Sequence, residues 1–401
     1  MITVAYGKNI AEITYKTLAA SDIFEYLKPH FCVAIKPNLV VPGPASNGAT
    51  THPEVVEGIL RFLFEFGISA QKVSIIESSW IGADTRDAFR DCGFESLRKK
   101  FGVELFDLKQ DACEKKIFKH LKMKNRDENF FDELEIEIYK RALETDFLIN
   151  VPVLKAHCQT KMTCCMKNLK GCIPDREKRR FHALGLHKPI AALNALVPTG
   201  YCVVDGICGD LTFEEGGNPT YANRIIVGRD AVEVDSYCAE LIGYDPHEIE
   251  YLQLARRAGR ENFFSHEKNE KINREHENFF SHEKNEKINR AQKNFSSYKV
   301  TEIFAEEKPI NSIKASRVAA RYEKNICEDA ACSACYAALI HALHRIGGSN
   351  KNFCIGQGFR NRAEKNKIGV GNCTKNFCEN ISGCPPAATE IIKMLTSVFV
   401  M

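Results

Sequence analysis

Seven of the chain's 17 cysteines lie between Cys327 and Cys384, and this crowding of thiols constrains the fold more than any other feature of the sequence. The run reads Cys327-Glu-Asp-Ala-Ala-Cys332-Ser-Ala-Cys335, then Cys354, Gly371-Asn372-Cys373, Cys378, and Gly383-Cys384-Pro385-Pro386. A packed core has no reason to concentrate thiols, whereas a metal does. Thiolates are soft ligands that select zinc or an iron–sulfur cluster over magnesium or calcium. The Cys332–Cys335 pair can face one centre from adjacent backbone positions. Pro385 blocks a helix through Cys384, and a cysteine before proline closes ferredoxin-type motifs, although the full ferredoxin spacing is absent. A 4Fe–4S cluster is therefore the preferred cofactor. Zinc is the alternative, because C-x-x-C pairs also build zinc ribbons. A metal-free thiol or disulfide role is the third reading.

The first-choice ligands are Cys332, Cys335, Cys373 and Cys384, with Cys327 in reserve should it replace Cys373. One cubane needs four thiolates, which makes Cys354 and Cys378 bystanders.

At 401 residues the chain has room for two or three domains. A net charge of +3 argues against general affinity for nucleic acid or membrane. The N-terminus lacks a signal-peptide layout, and no apolar run approaches the ~18 residues of a membrane span. Many cysteines without an export signal suit a reducing, cytoplasmic setting.

Residues 31–40 form a strand that stops at Pro37, and a loop rich in Gly, Pro and Ser runs to Thr51. Pro53 suits the first turn of a helix, and Val55, Ile59, Leu60, Leu63 and Phe66 recur at helical spacing through residues 54–66. Strands follow at 72–77, 103–107, 147–153, 201–204 and 224–227, with helices at 85–101 and 231–242. This alternation predicts an α/β fold: a mostly parallel sheet with helices on both faces, joined to a small C-terminal cysteine-rich α+β metal-binding domain. Ligands of such sheets lie beyond the carboxyl ends of the strands. That rule selects Lys36-Pro37-Asn38, Glu77-Ser78-Ser79, Lys155-Ala156-His157 and Asp205-Gly206 as rim residues. Neither a Gly-x-Gly-x-x-Gly after a strand nor a Walker motif occurs, so the usual dinucleotide and ATP sites are unsupported. Trp80, the sole tryptophan, reads as packing at a strand end.

A 14-residue segment at 261–274 recurs at 277–290, and Asn294-Phe295-Ser296-Ser297 looks like the decayed start of a third copy. Two or three short charged units cannot make a solenoid core. The expected organisation is a 1–258 α/β domain with a basic cleft, a 259–310 duplicated charged insert or linker, and a 311–401 cysteine-rich domain.

Between Lys155 and Lys188, nine Lys or Arg face two acids. In helical projection Met162, Cys165, Met166 and Leu169 share an apolar face, leaving Cys164, Lys167, Asn168 and Lys170 opposite. Gly171 suits a helix C-cap. The functional reading is an anion pocket in which Lys155, Lys167 and His157 carry the chemistry and a histidine moves protons. Lys36, Asn38, Asn168, Lys170, His182 and Asp205 would bind the substrate. The bland alternative has the lysines solvated and His157 bonded to backbone. Arg176–Arg180 reads as surface. Asp205, Asp210 and Asp235 read as cation ligands or, more often for such residues, as caps and turns.

Several segments together resemble domain-of-unknown-function family 362, uncharacterised iron–sulfur-centre proteins. They are Ile35-Lys-Pro-Asn-Leu-Val40, Phe147-Leu-Ile-Asn-Val-Pro-Val-Leu-Lys155-Ala-His157, Lys161-Met-Thr163, Lys167-Asn-Leu-Lys-Gly171, Val204-Asp-Gly206 and Val227-Gly-Arg-Asp230 through Asp235. The tail from Cys332 to Pro386 is similar as well. The resemblance implies a cluster but supplies no reaction, and it leaves out the duplicated insert. A looser similarity, in the order Asp146, His157, Lys167, His182, is to nickel-pincer lactate racemases. It would make Lys167 a cofactor tether and His157 or His182 a ligand or proton carrier. The Gly-rich signature of those enzymes is missing.

The sequence thus predicts a cytosolic redox protein passing electrons between a 4Fe–4S cluster and a small anionic substrate or cofactor, with a redox partner protein. Its rivals are a metal-stapled binding or scaffold protein and an acid–base enzyme with a structural cluster.

Overall fold

The computed structural model describes residues 1–119, 133–258, 289–295, 298–304 and 313–397. Its body is a nine-stranded sheet. Four strands, Glu104–Asp107, Val73–Glu77, Val33–Pro37 and Phe147–Val151, run parallel at one end. The long strand Thr199–Asp210 joins them in parallel and returns antiparallel through Pro219–Gly228 to Ile2–Tyr6. The strand Val33–Pro37 is buried along its whole length, as expected with helices on both faces. Two apolar clusters, one per face, fill the layers. No helix among the described residues is long and apolar enough to cross a membrane.

Local chemistry explains most of the elements. Pro53 opens the helix Pro53–Glu65, and Asp230 caps Ala231–Leu241 by accepting the N–H groups of Val232 and Glu233. The helix expected over 85–101 is two helices, Thr85–Asp91 and Phe94–Phe101, because Gly93 between them turns left-handed at φ +85°. Sequence periodicity misses the first strand, the helix Ile10–Ala19, the hairpin Cys113–Lys119/Glu133–Tyr139 and the helix His187–Leu196.

Most of the duplicated segment, 261–288, lies outside the described residues. Its last residues enter a hairpin, Asn289–Phe295 with Tyr298–Phe304, whose second strand pairs in parallel with Ile2–Tyr6. Part of the range expected to be a linker therefore extends the large sheet.

The C-terminal region is a separate four-stranded sheet of three-residue strands, Ile326–Glu328, Phe353–Ile355, Ile368–Val370 and Glu379–Ile381, all parallel. The helices Ser333–Arg345 and Ala388–Ser397 pack on it. Phe213 of the α/β body inserts into this small core and stacks on His341 with ring centroids 3.5 Å apart.

Candidate functional site

All four short strands point the same way, so every loop that follows one emerges on a single edge. Three of those loops carry the cysteines: Cys332 follows Glu328, Cys373 follows Val370 and Cys384 follows Ile381. Gly371 (φ +92°) and Gly383 (φ +141°) allow the last two loops their sharp turns. Asn372 ties them together, its N–H donating to the Gly383 carbonyl and its side-chain oxygen accepting the Gly383 N–H. Cys332 is the N-cap of Ser333–Arg345 and Cys335 lies in its first turn, where the helix dipole favours thiolate.

Cys332, Cys335, Cys373 and Cys384 lie within electrostatic reach of one another. Burial, then negative charge on Cys373 and Cys384, raises the Cys332 thiol. Burial and the other three push Cys335 up to about 12. Burial and mutual repulsion thus favour the protonated thiol at Cys332 and Cys335, a cost that a bound cationic centre would offset. Cys327 is not among them: it lies on a strand in register with Cys354, whose thiol it helps to raise. The reserve ligand is thereby separated from the quartet. Among the described residues, the ligand atoms of His157–Cys158–Glu214 and of Cys164–Cys165–Asp235 lie within 4.8 Å of one another, tight enough for one ion.

The edge bearing these cysteines closes one side of a cavity of about 360 Å³ at the carboxyl ends of the large sheet. Cys332, Cys335 and Cys384 face Lys36, Lys155, Lys167 and Lys170 across it. Six Lys or Arg line the cavity against three carboxylates, Glu77, Asp175 and Glu214.

Each cation is placed differently. Lys36 is buried and paired with Glu77 at 2.9 Å. Lys155 donates to the carbonyls of Ala49 (2.8 Å) and Glu214 (2.7 Å), clamping the loop that carries Glu214. Lys167 donates to Thr163 Oγ1 and to Glu214 Oε2 at 3.2 Å. Lys178 donates to Ser78 and to the Ser79 carbonyl, and pairs with Asp175. Lys170 is the exception: its ammonium meets His182 Nε2 at 3.4 Å, and among the described residues no carboxylate pairs with it. Burial, then repulsion from Lys167, lowers it to about 7. Burial likewise lowers Lys155 and Lys178 to about 8.

His157 is held neutral. Its Nδ1 accepts the N–H groups of Gln159 and Thr160, each at 3.1 Å, which leaves the proton on Nε2. That nitrogen sits 2.7 Å from Glu214 Oε2. Burial pushes the imidazole down to about 4 in spite of Glu214. Burial alone would raise Glu214, but His157 and Lys167 hold its carboxyl well below the usual range. His182 is also held down, by burial and Lys170, and its Nδ1 is buried with no hydrogen-bond partner among the described residues.

Residues 33–240 match the family model described as a domain of unknown function, DUF362. The chain belongs to this family. Over 247 residues it is 24% identical to the thylakoid-associated protein sll1697 of Synechocystis sp., spanning 58% of this chain and 70% of that relative. Among solved structures it is similar to the lactate racemase apoprotein from Thermoanaerobacterium thermosaccharolyticum, with a TM-score of 0.37 at 9% identity over 60% of this chain. The match spans 56% of the racemase chain, little more than half its length.

The DUF362 segment supplies every Lys, Arg, His and carboxylate of the cavity wall, and the cysteines come from beyond it. Of the residues expected in the cleft, Lys36, Asn38, Lys155, His157, Lys167, Asn168, Lys170 and His182 line it. Asp205 does not: its carboxylate accepts the backbone N–H groups of His52 and Ile207 and bonds the His52 ring, so it fixes a loop. Asp210 and Asp235 likewise accept backbone N–H groups. Asn168 donates to Asn150 Oδ1 at 2.8 Å, which makes it part of the wall's scaffold. Lys178 corrects the reading of 176–180 as surface, because the helix Asp175–Ala183 turns that one lysine inward. Gly171 is no C-cap: it lies in a 3₁₀ turn, where a Cβ would meet Glu77 Oε1 and Lys36 Nζ.

Sequence reasoning missed Glu214 and Gln159. Glu214 sits in the turn between two strands, a turn shaped by Asp210. Gln159 joins the two regions, accepting from Ser333 Oγ (2.6 Å) and donating to the Ala331 carbonyl (3.1 Å). The one available signal for Glu214 was its charge beside Glu215 in a Gly-rich turn.

Proposed function

We propose that this protein is an iron–sulfur redox protein, in which a 4Fe–4S cluster on Cys332, Cys335, Cys373 and Cys384 exchanges electrons with a small anionic substrate or cofactor in the Lys/His-lined cavity. The observation that carries this reading is the convergence of the four cysteine positions on one sheet edge that also walls the basic cavity. Such a cluster supplies electrons one at a time. The chain's own residues bind and orient: Lys170 offers an unpaired positive charge, Lys178 braces Ser78 and Ser79, and the neutral His157 keeps Glu214 ionised. Cys384 is exposed, which gives a redox partner protein an edge to approach.

The test is anaerobic purification with iron, sulfide and zinc counted per chain. About four irons and four sulfides are expected, with a visible absorbance that dithionite bleaches. Serine at any of the four positions should abolish the colour, and Cys327→Ser should keep it. One zinc and no iron would refute the cluster. A second reading, acid–base chemistry beside a structural cluster, is favoured by the Lys170 ammonium lowered to about 7. It would prevail if the colour resisted reduction.

A further inference from the structure

The basic cavity does not end at its charged wall. A second cavity of about 280 Å³ adjoins it, and the two share Val40, Trp80, Glu214, Ala334 and Pro385 as lining. Beyond that shared neck the second cavity is bounded by Val41 and Ala338 and is mainly apolar, with Glu215 and His341 at its polar side. Trp80 is fixed there by its backbone, donating to the Val40 carbonyl (3.1 Å) and accepting from Lys109 Nζ (3.2 Å). Its placement replaces the expectation that it merely packs a strand end. One compartment is therefore basic, with more cations than carboxylates, and the next is a gallery of aliphatic and aromatic surface reached past a single indole.

We infer that the occupant is an amphipathic organic carboxylate: its head lies against Lys170 and His182, and an acyl or aryl tail runs past Trp80 into the gallery between Val41 and Ala338. This inference rests on the reading of the cavity as an anion site and adds the substrate class. Charge and polarity set the direction of binding. A carboxylate offsets the cost of burial and the repulsion from Lys167 at Lys170, and it supplies a charged acceptor beside the His182 ring nitrogen that Lys170 already meets. In the gallery a charged head would stand beside Glu214 and Glu215 with no lysine or arginine in the lining, whereas in the basic cavity Glu215 is absent and cations outnumber carboxylates. A compact inorganic anion would leave the gallery to water and gain nothing from it.

Trp80 is the chain's one tryptophan, so its fluorescence reports this neck and nothing else. The full-length protein, purified anaerobically, is titrated with acetate, butyrate, hexanoate, octanoate and hexanol, and calorimetry gives a second readout. Burial of each added methylene should tighten binding about fourfold until the gallery is filled. Hexanoate should bind at least tenfold more tightly than hexanol. Ala338→Phe should erase the chain-length dependence while sparing butyrate, and Lys170→Met should weaken every acid and leave hexanol unchanged. Octanoate binding no tighter than acetate, hexanol matching hexanoate, or no binding by any acid would each overturn the inference. Iron and sulfide are counted on the same samples. A colourless protein that keeps the chain-length series refutes the cluster alone, and a brown protein without the series refutes the tail-binding gallery alone.

Discussion

Gly171→Ala is the most diagnostic single substitution in the cavity floor, because two effects pull it in opposite directions. Helix propensity favours alanine over glycine by up to about 1 kcal/mol. The surroundings forbid it. A Cβ at this position would overlap Glu77 Oε1 and stand 2.6 Å from the Lys36 ammonium. Neither group can swing aside freely. Glu77 accepts from Lys36, from Leu39 N–H and from Ser78 N–H, and both members of the pair are almost fully buried. Making room separates a buried ion pair, which costs roughly 3–5 kcal/mol. Strain therefore outweighs propensity, and the net loss should be about 2–4 kcal/mol, or roughly 2.5–5 °C in thermal midpoint for a chain of this size. Thermal unfolding followed by far-ultraviolet circular dichroism reads the change. Repeating it in a Lys36→Met, Glu77→Gln background separates the cause, since the penalty should shrink once the pair is gone. A midpoint within 2 °C of wild type, or an equal loss in both backgrounds, would refute the account of this glycine.

Two further outcomes follow from the Glu214 loop and the joint it faces. Glu214 has a folded pKa held below its unfolded value, so its stabilisation is present above about pH 4.3 and is lost as pH falls through the folded pKa. Glu214→Gln should accordingly cost at least about 2 kcal/mol near pH 7, and urea titrations should show the gap closing in strong acid. A constant gap across pH would contradict the ion-pair role. Gln159→Ala removes the bridge to Ala331 and Ser333, so in metal-free, reduced protein the Cys332 thiol should react several-fold faster with a thiol probe while Cys92 stays slow. Unchanged Cys332 labelling would show that the joint is held elsewhere, for example by the Phe213–His341 stack.

Much of the site was legible from local pattern. The basic stretch from Lys155 to His182 names five of the cavity's six cations, because strand ends in a parallel sheet gather at one rim. The cysteine run was readable through thiolate chemistry alone. Charge along the chain, however, could not separate Lys178, turned inward by its helix, from its solvent-facing neighbour Arg176. Asp205 within a strand, Asp210 at its end and Asp235 inside a helix look identical to ligands in sequence, yet each accepts backbone N–H groups. Gln159 and Glu214 had no signal strong enough to find, since their importance comes from what stands opposite them.

What the amino-acid order settles by itself is the material: an alternation of strands and helices that makes an α/β layer, and a set of soft ligands too dense to be core. Both are properties of neighbours along the chain, governed by side-chain period and by ligand softness. The folded chain decides how the two meet. It takes parallel pairing of four three-residue strands to bring Cys332, Cys373 and Cys384 out on one edge, and it takes the Phe213 insertion to turn that edge toward the lysines. The strand pairings join residues 11 to 27 positions apart and the Phe213–His341 stack joins residues 128 apart, and no local pattern encodes which of these surfaces will pack together.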